Sequence, residues 1–269
     1  MQIVLLHQKF FNQHKIFMKT KTTIAVIALI FIGSLTSCKK EIASAQKTYN
    51  KSLVQTAGTV SGKATDWQNN PLVNATVTVE HTVWNATYVL DKTGSKGRYN
   101  ITIPSTPAGR WTAKAQYKKH AYGQNYLFDL DGDTTSFTVK DAVTRNFKWL
   151  LTGKKPNGNY YGAHVDLYQF GTDADMEKIK IVFTPIDSTL IDGSPSVSFE
   201  RYVEDVAGTF MIKDVPIGKY SIKAVYPGKK LLLENRHDDK GAKAKQTVVF
   251  GKYGFLGETE YNIEFWVEE

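Results

Sequence analysis

Two stretches of this chain spell nearly the same phrase. Residues 106–117 read TPAGRWTAKAQY and residues 215–226 read VPIGKYSIKAVY. Pro107, Gly109, Trp111, Ala113, Ala115 and Tyr117 fall on Pro216, Gly218, Tyr220, Ile222, Ala224 and Tyr226, and Arg110 falls on Lys219. A second block lies upstream, where Gly97, Tyr99 and Ile101 match Gly208, Phe210 and Ile212 with the same internal spacing. The gap between the blocks differs by two residues, which a loop absorbs. Two blocks in register identify an internal duplication. Its offset of about 109 residues makes the unit a whole domain, not a solenoid repeat.

From Ala57 onward the dominant period is two. Residues 75–79, 99–103, 111–117, 179–183, 210–212, 220–226 and 261–267 alternate apolar and polar side chains, and no helical period competes. Strand side chains point to opposite faces in turn, so this pattern buries one face and wets the other. Turn residues recur at 69–71, 92–97, 107–109, 131–133, 192–193 and 227–228. Short strands so punctuated predict an all-β chain of two tandem antiparallel β-sandwiches. Within it, each repeated phrase is expected to be a β-hairpin. Gly97 or Gly208 ends a turn, Pro-x-Gly reverses the chain, and aromatic and aliphatic side chains line the core. That structural role uses every repeated position and leaves none over for chemistry.

The first copy carries further signs: Gly62, then Asn70-Pro71-Leu72-Val73-Asn74-Ala75-Thr76-Val77-Thr78-Val79, Thr93, Gly97-Arg98-Tyr99 and Pro107-Ala108-Gly109-Arg110-Trp111. It resembles the carboxypeptidase regulatory-like (transthyretin-like) domain, whose fold is a seven-stranded β-sandwich. Asn74 stands where that family usually has Gly, and Trp111 where it has Tyr. In the second copy Gly162-Ala163-His164-Val165-Asp166-Leu167 is expected to stand for the family's G-A-x-V-x-V, with Asn159-Tyr160 in place of Pro-Leu. The stretch from Ala163 to Gly208 is then about twice that from Ala75 to Gly97. The resemblance covers most of residues 57–150 and about half of 160–269. It implies a fold and no single function, since such domains occur in enzyme appendages, surface lipoproteins and receptors.

The N-terminus is expected to be a removable leader. Lys19 and Lys21 precede the apolar run 24–32, and Gly33 and Ser34 follow. The run is far shorter than the roughly 20 residues that span a bilayer, so it reads as a signal peptide. Met18 is an alternative start. Leu35-Thr36-Ser37-Cys38 resembles the lipobox of bacterial lipoproteins, and Cys38 is the chain's sole cysteine. Lipidation at Cys38 would explain an unpaired thiol in an exported protein. It would also supply the two or more acyl chains that stable anchoring needs. Residues 1–37 would be the leader, 38–56 a flexible tether, 57–151 the first sandwich, 152–160 a linker and 161–269 the second sandwich. The pairing of a lipobox with Lys39-Lys40-Glu41 resembles lipoproteins of Bacteroidetes type, placing the chain on the outer membrane with its periplasmic or surface face open. Loss of residues 1–37 removes four lysines and no acid, which lowers the formal charge from +8 to +4. The remaining charges interleave in sign, and no basic cluster suggests nucleic acid.

No H-E-x-x-H, G-x-S-x-G or P-loop is present, so no catalytic residue and no cofactor is expected. His81, His120, His164 and His237 stand apart and read as surface or strand residues. Asp129, Asp131 and Asp133 are weak metal candidates. The glycine lies at position four instead of six, and Lys140 stands where a calcium loop needs Glu, so an acidic hairpin turn is the plainer reading. Trp84, Tyr88, Tyr122 and Tyr126 lie near or beyond the core phrases, and Trp67 falls in a loop. These rings are the possible ligand-binding residues. The leading expectation is a non-enzymatic, lipid-anchored envelope protein, its sandwiches serving as a binding or adhesion module or as a spacer. Its partners would be the membrane and a glycan or envelope protein. The alternatives are a glycan-binding accessory lipoprotein, of the all-β kind common among sugar-binding modules, and an enzyme with a site between the domains.

Overall fold

The structure is a computed structural model and describes residues 57–238, 240–254 and 256–269. The leader, Cys38 and the tether lie outside the described residues. The first half contains β1 (Thr59–Thr65), β2 (Thr76–His81), β3 (Tyr88–Lys92), β4 (Arg98–Thr102), β5 (Arg110–Ala121), β6 (Gln124–Asp129), β7 (Asp131–Gly132), β8 (Phe137–Thr138), β9 (Ala142–Thr144) and β10 (Phe147–Lys148). The second contains β11 (Ala163–Gln169), β12 (Lys180–Pro185), β13 (Phe199–Tyr202), β14 (Glu204–Val206), β15 (Thr209–Val215), β16 (Lys219–Val225), β17 (Leu232–Asn235), β18 (Gln246–Val249) and β19 (Asn262–Glu268). A 3₁₀ turn at Met176–Lys178 is the sole helical element among the described residues. No helix there is long and apolar enough to cross a membrane.

The strands form four sheets, two per half. The first half has β4-β1-β10-β7, with β9 also on β1, and β3-β2-β5-β6, with β8 also on β5. The second has β14-β15-β11-β19-β17 and β13-β12-β16-β18. The chain is thus all-β and built as β-sandwiches. Most pairs are antiparallel; β1 runs parallel to β9 and β10, and β11 runs parallel to β19. The alternation read from sequence is the alternation of burial: Tyr99 and Ile101 on β4, Trp111, Ala113 and Ala115 on β5, Ile181 and Phe183 on β12, and Tyr220 and Ile222 on β16 all face the core.

The repeated phrase is not the expected hairpin. β4 pairs with β1, whereas β5 pairs with β2, β6 and β8 in the opposite sheet. β15 and β16 are divided between sheets in the same way. The Pro-x-Gly segment is therefore a corner that carries the chain from one sheet over the core to the other. Alternation tells which face of a strand is buried. It does not distinguish a neighbour beside the strand from one across the core.

The second copy also needs a new alignment. Val60 pairs with Ile101 and Gly62 with Tyr99; Val165 pairs with Ile212 and Leu167 with Phe210. Residues 162–167 therefore match β1, not β2 as expected. The counterpart of β2 is β12, whose Ile181 and Phe183 oppose Ala224 and Ile222 as Val77 and Val79 oppose Ala115 and Ala113. This shift accounts for the doubled spacing. β13, β16, β17, β18 and β19 then match β3, β5, β7, β8 and β10 by partner and direction. The far half of β5 together with β6 is an addition to the first sandwich, and β14 is an addition to the second.

Asn74 and Trp111 sit in distinct local settings. Asn74 sits at φ 63, a region open to Gly and tolerated by Asn. Beside it the Thr93 hydroxyl donates to Leu72 O and accepts from Ala75 N–H, clasping two turns together. Tyr220 donates its hydroxyl to Pro216 O at 2.9 Å and so ties the corner shut. At the matching position the indole nitrogen of Trp111 is buried without a hydrogen-bond partner among the described residues.

Candidate functional site

The four rings singled out from sequence divide between two places. Trp84 and Tyr88 are 59% and 55% exposed, and both line a groove of about 390 Å³ at the β2–β3 end of the first sandwich. Tyr88, Glu80 and Thr112 sit side by side across β3, β2 and β5 and form one wall. Lys114 reaches Glu80 at 2.7 Å. Leu90 and Val83 extend the apolar surface beyond the groove.

The loop that carries Trp84 is organised by His81. Its Nδ1 accepts from Val83 N–H and Trp84 N–H, both at 3.1 Å, and its Nε2 faces Ala108 O at 3.3 Å. The ring meets the indole of Trp111 edge-on at 5.1 Å. Gly109 makes room for it, since a Cβ there would collide with Nε2. Ala86, at φ 57, closes the loop in a conformation unusual for a residue with a side chain. A buried histidine thus links the core to an exposed tryptophan. In sequence alone His81 reads as an ordinary strand residue.

Tyr122 and Tyr126 lie elsewhere, on the β5–β6 hairpin, and do not join Trp84 and Tyr88 at the groove. Tyr122 and Gly123, at φ 51 and 77, make the two-residue turn of the β5–β6 hairpin. The hairpin reaches the second sandwich. Tyr126 is 1% exposed, donates its hydroxyl to Phe250 O at 2.8 Å and packs on Tyr261 at 4.9 Å. Leu127 N–H donates to the Tyr261 hydroxyl at 2.6 Å. Burial pushes the Tyr122 and Tyr261 hydroxyls up from their ordinary range, as expected for a closed joint. Tyr126 has no face left for a ligand. Trp67 lies half-buried in the turn closed by Asp66.

Two of the three aspartates serve the same joint. Asp129 accepts from Lys155, Thr259 and Gln116; Asp131 accepts from the Tyr161 hydroxyl; Asp133 caps Thr135 and pairs with Arg145. The segment is not the expected hairpin turn. It is the point where the chain passes from the sheet of β6 to the sheet of β7. No group of three metal-ligating side chains occurs among the described residues.

A second cavity, of about 350 Å³, lies where residues 158–164 meet β15 and the segment before β19. Its lining includes Tyr160, His164, Met211, Lys213, Glu260 and Tyr261. His164 Nε2 stands 3.3 Å from Asp166 Oδ2, and Asp166 is buried and bound by Asn262. His237 is engaged with Glu264 at 3.2 Å and stacked on Tyr253; His120 bonds Asn125. The signal for the His164–Asp166 pair is present in sequence, because residues two apart in a strand share a face.

No family model matches the chain, and no curated protein is matched in sequence. Among solved structures the chain is similar to the Bacillus anthracis TIE protein (16% identity over 78% of this chain and 33% of that one, TM-score 0.30). It is also similar to a streptococcal ancillary pilin (12%, 78% and 63%, 0.26) and to the pilus adhesin SpaC of Lactobacillus rhamnosus GG (10%, 78% and 28%, 0.26). The chain spans a third of the length of the first and under two thirds of the second. At such scores these likenesses add nothing to the architecture read from the strands.

Proposed function

We propose that the chain is a non-catalytic binding module of the cell envelope, anchored through lipid on Cys38. Its tandem sandwiches would hold the Trp84–Tyr88 groove away from the membrane. The observation that carries the reading is the exposure of these two rings beside a groove with a mixed polar lining. Exposed large rings cost solvation unless a partner covers them, and an open, ring-walled groove suits an extended ligand. A glycan chain is the ligand chemistry this favours. The C–H faces of sugar rings stack on Trp84 and Tyr88, and Glu80, Thr82 and Asn85 offer partners to hydroxyls. The joint supports a spacer role, since Lys155, Asp129, Tyr126 and Tyr261 bind the sandwiches into one stiff unit. The clasp of Thr93 and the αL Asn74 support reading the first sandwich as carboxypeptidase regulatory-like.

A glycan array and pull-down on insoluble polysaccharides test the ligand. Binding that survives Trp84→Ala and Tyr88→Ala together would remove the groove from the proposal. Incorporation of labelled palmitate in the native chain, and its loss in Cys38→Ser, tests the anchor.

A further inference from the structure

We infer that the cavity at His164 is a second, separate ligand site, and that it takes a single neutral sugar unit. It shares no residue with the Trp84 groove, so neither reading depends on the other. Its volume of about 350 Å³ falls at the lower end of the roughly 300–1,000 Å³ typical of small-molecule sites.

The walls are held in advance. Asp214 occupies φ 58, a conformation that costs a non-glycine residue energy and that clusters at functional sites. Its carboxylate accepts Gly153 N–H and Gly162 N–H, while Arg201 donates to Lys213 O and Asp214 O. Gly162 permits this closeness, since a Cβ there would lie 2.6 Å from the Asp214 backbone. Asp166 holds His164 from behind, and His164 Nδ1 has no hydrogen-bond partner among the described residues. Such preorganisation lowers the cost of binding.

Charge selects the ligand class. Both tyrosine walls already carry the protein's own cations: Lys213 Nζ is 6.0 Å from the Tyr160 ring and Lys252 Nζ is 5.6 Å from the Tyr261 ring. An organic cation would have to displace them. An anion would meet Asp214, Glu260 and the underlying Asp166, while Lys213 is engaged by Glu204 at 2.9 Å. A neutral polyhydroxyl ligand avoids both conflicts. It can donate to His164 Nδ1 and Glu260, accept from Asn159, and lay its C–H face on Met211.

The full chain in detergent is titrated calorimetrically with the methyl glycosides of glucose, mannose, galactose and N-acetylglucosamine, and with galacturonate and glucosamine as charged counterparts. At least one neutral glycoside is expected to bind. The affinity should fall about tenfold or more in Met211→Trp, which fills the cavity, and in His164→Ala, and should hold in Trp84→Ala. Circular dichroism checks each fold, and Val206→Phe replaces Met211→Trp if that variant does not fold. No heat from any neutral glycoside, a preference for either charged sugar, or binding lost in Trp84→Ala but kept in the cavity variants overturns the inference.

Discussion

The Lys155 ammonium lies 2.8 Å from Asp129 Oδ2, which ties the segment between the sandwiches to the end of β6. Lys155 is buried, and Thr259 and Gln116 complete the carboxylate's partners at 2.6 and 3.0 Å. Lys155 N–H also donates to Asn159 O, so the chain from 152 to 160 is a folded turn. The joint is chemically specific at its centre.

Removing one member of this pair exposes its dependence on the other. Asp129→Asn strands a buried ammonium and is expected to cost about 2–3 kcal/mol. Lys155→Met leaves a carboxylate that keeps some solvent and two other donors, and should cost less, about 1–2 kcal/mol. Urea unfolding of the variants at neutral pH measures both, and the reverse order would contradict the geometry.

Acid should weaken the joint. Burial pushes the Asp129 carboxyl up, but hydrogen bonds from Lys155, Thr259 and Gln116, with the Lys155 charge, outweigh it and hold the group below its usual range. A folded pKa below the unfolded one gives stability that is present above the unfolded value, near 3.9, and lost as pH falls through the folded value. Melting temperature should therefore drop below about pH 4, and Asp129→Asn should show a shallower drop.

Tyr126 makes the aromatic half of the joint. Tyr126→Phe is expected to cost about 1 kcal/mol or less, because Gln124 Nε2 still donates to Phe250 O at 2.6 Å. Tyr126→Ala empties a filled space and should cost about 3–5 kcal/mol. Calorimetry should also show unfolding become broader than in the native chain, or split, as the sandwiches uncouple.

Two glycines predict opposite tolerances. A Cβ on Gly62 would overlap Arg145 O, so Gly62→Ala must push β1 from the segment before β10 and should abolish folding. Gly208 has φ 87 with open space around it, so Gly208→Ala strains only the backbone and should cost about 1 kcal/mol. Expression and melting temperature of the pair decide.

Trp84→Ala should leave stability within about 0.5 kcal/mol, since the ring is largely in water, while removing ligand binding at the groove. His81→Ala should do both kinds of damage, because the same ring packs on Trp111 and holds the Trp84 loop. A Trp84 variant that melts as early as the His81 variant would place the indole in the core.

Much of the strand pattern was legible in the chain. The alternations at 75–79, 99–103, 111–117, 179–183, 210–212, 220–226 and 261–267 are β2, β4, β5, β12, β15, β16 and β19, because side-chain direction along a strand is a local consequence of the backbone. The exposure of Trp84 and Tyr88 was legible only from their place outside the repeated core phrases. Tyr126 was not, since its fate rests on Phe250 and Tyr261, more than 120 positions away. His81 was hidden because its partners, Trp111 and Ala108, come from the next sheet corner.

By itself the sequence determined that the chain is all-β, that it is duplicated, and which face of each strand avoids water. Tertiary structure alone decided that Pro-x-Gly crosses between sheets, that β11 pairs as β1 does, and that the β5–β6 hairpin is spent on the joint. The physical reason is range. Alternation and turn preference act over a few residues, whereas the choice of partner strand and the filling of a core depend on surfaces that only the folded chain brings together.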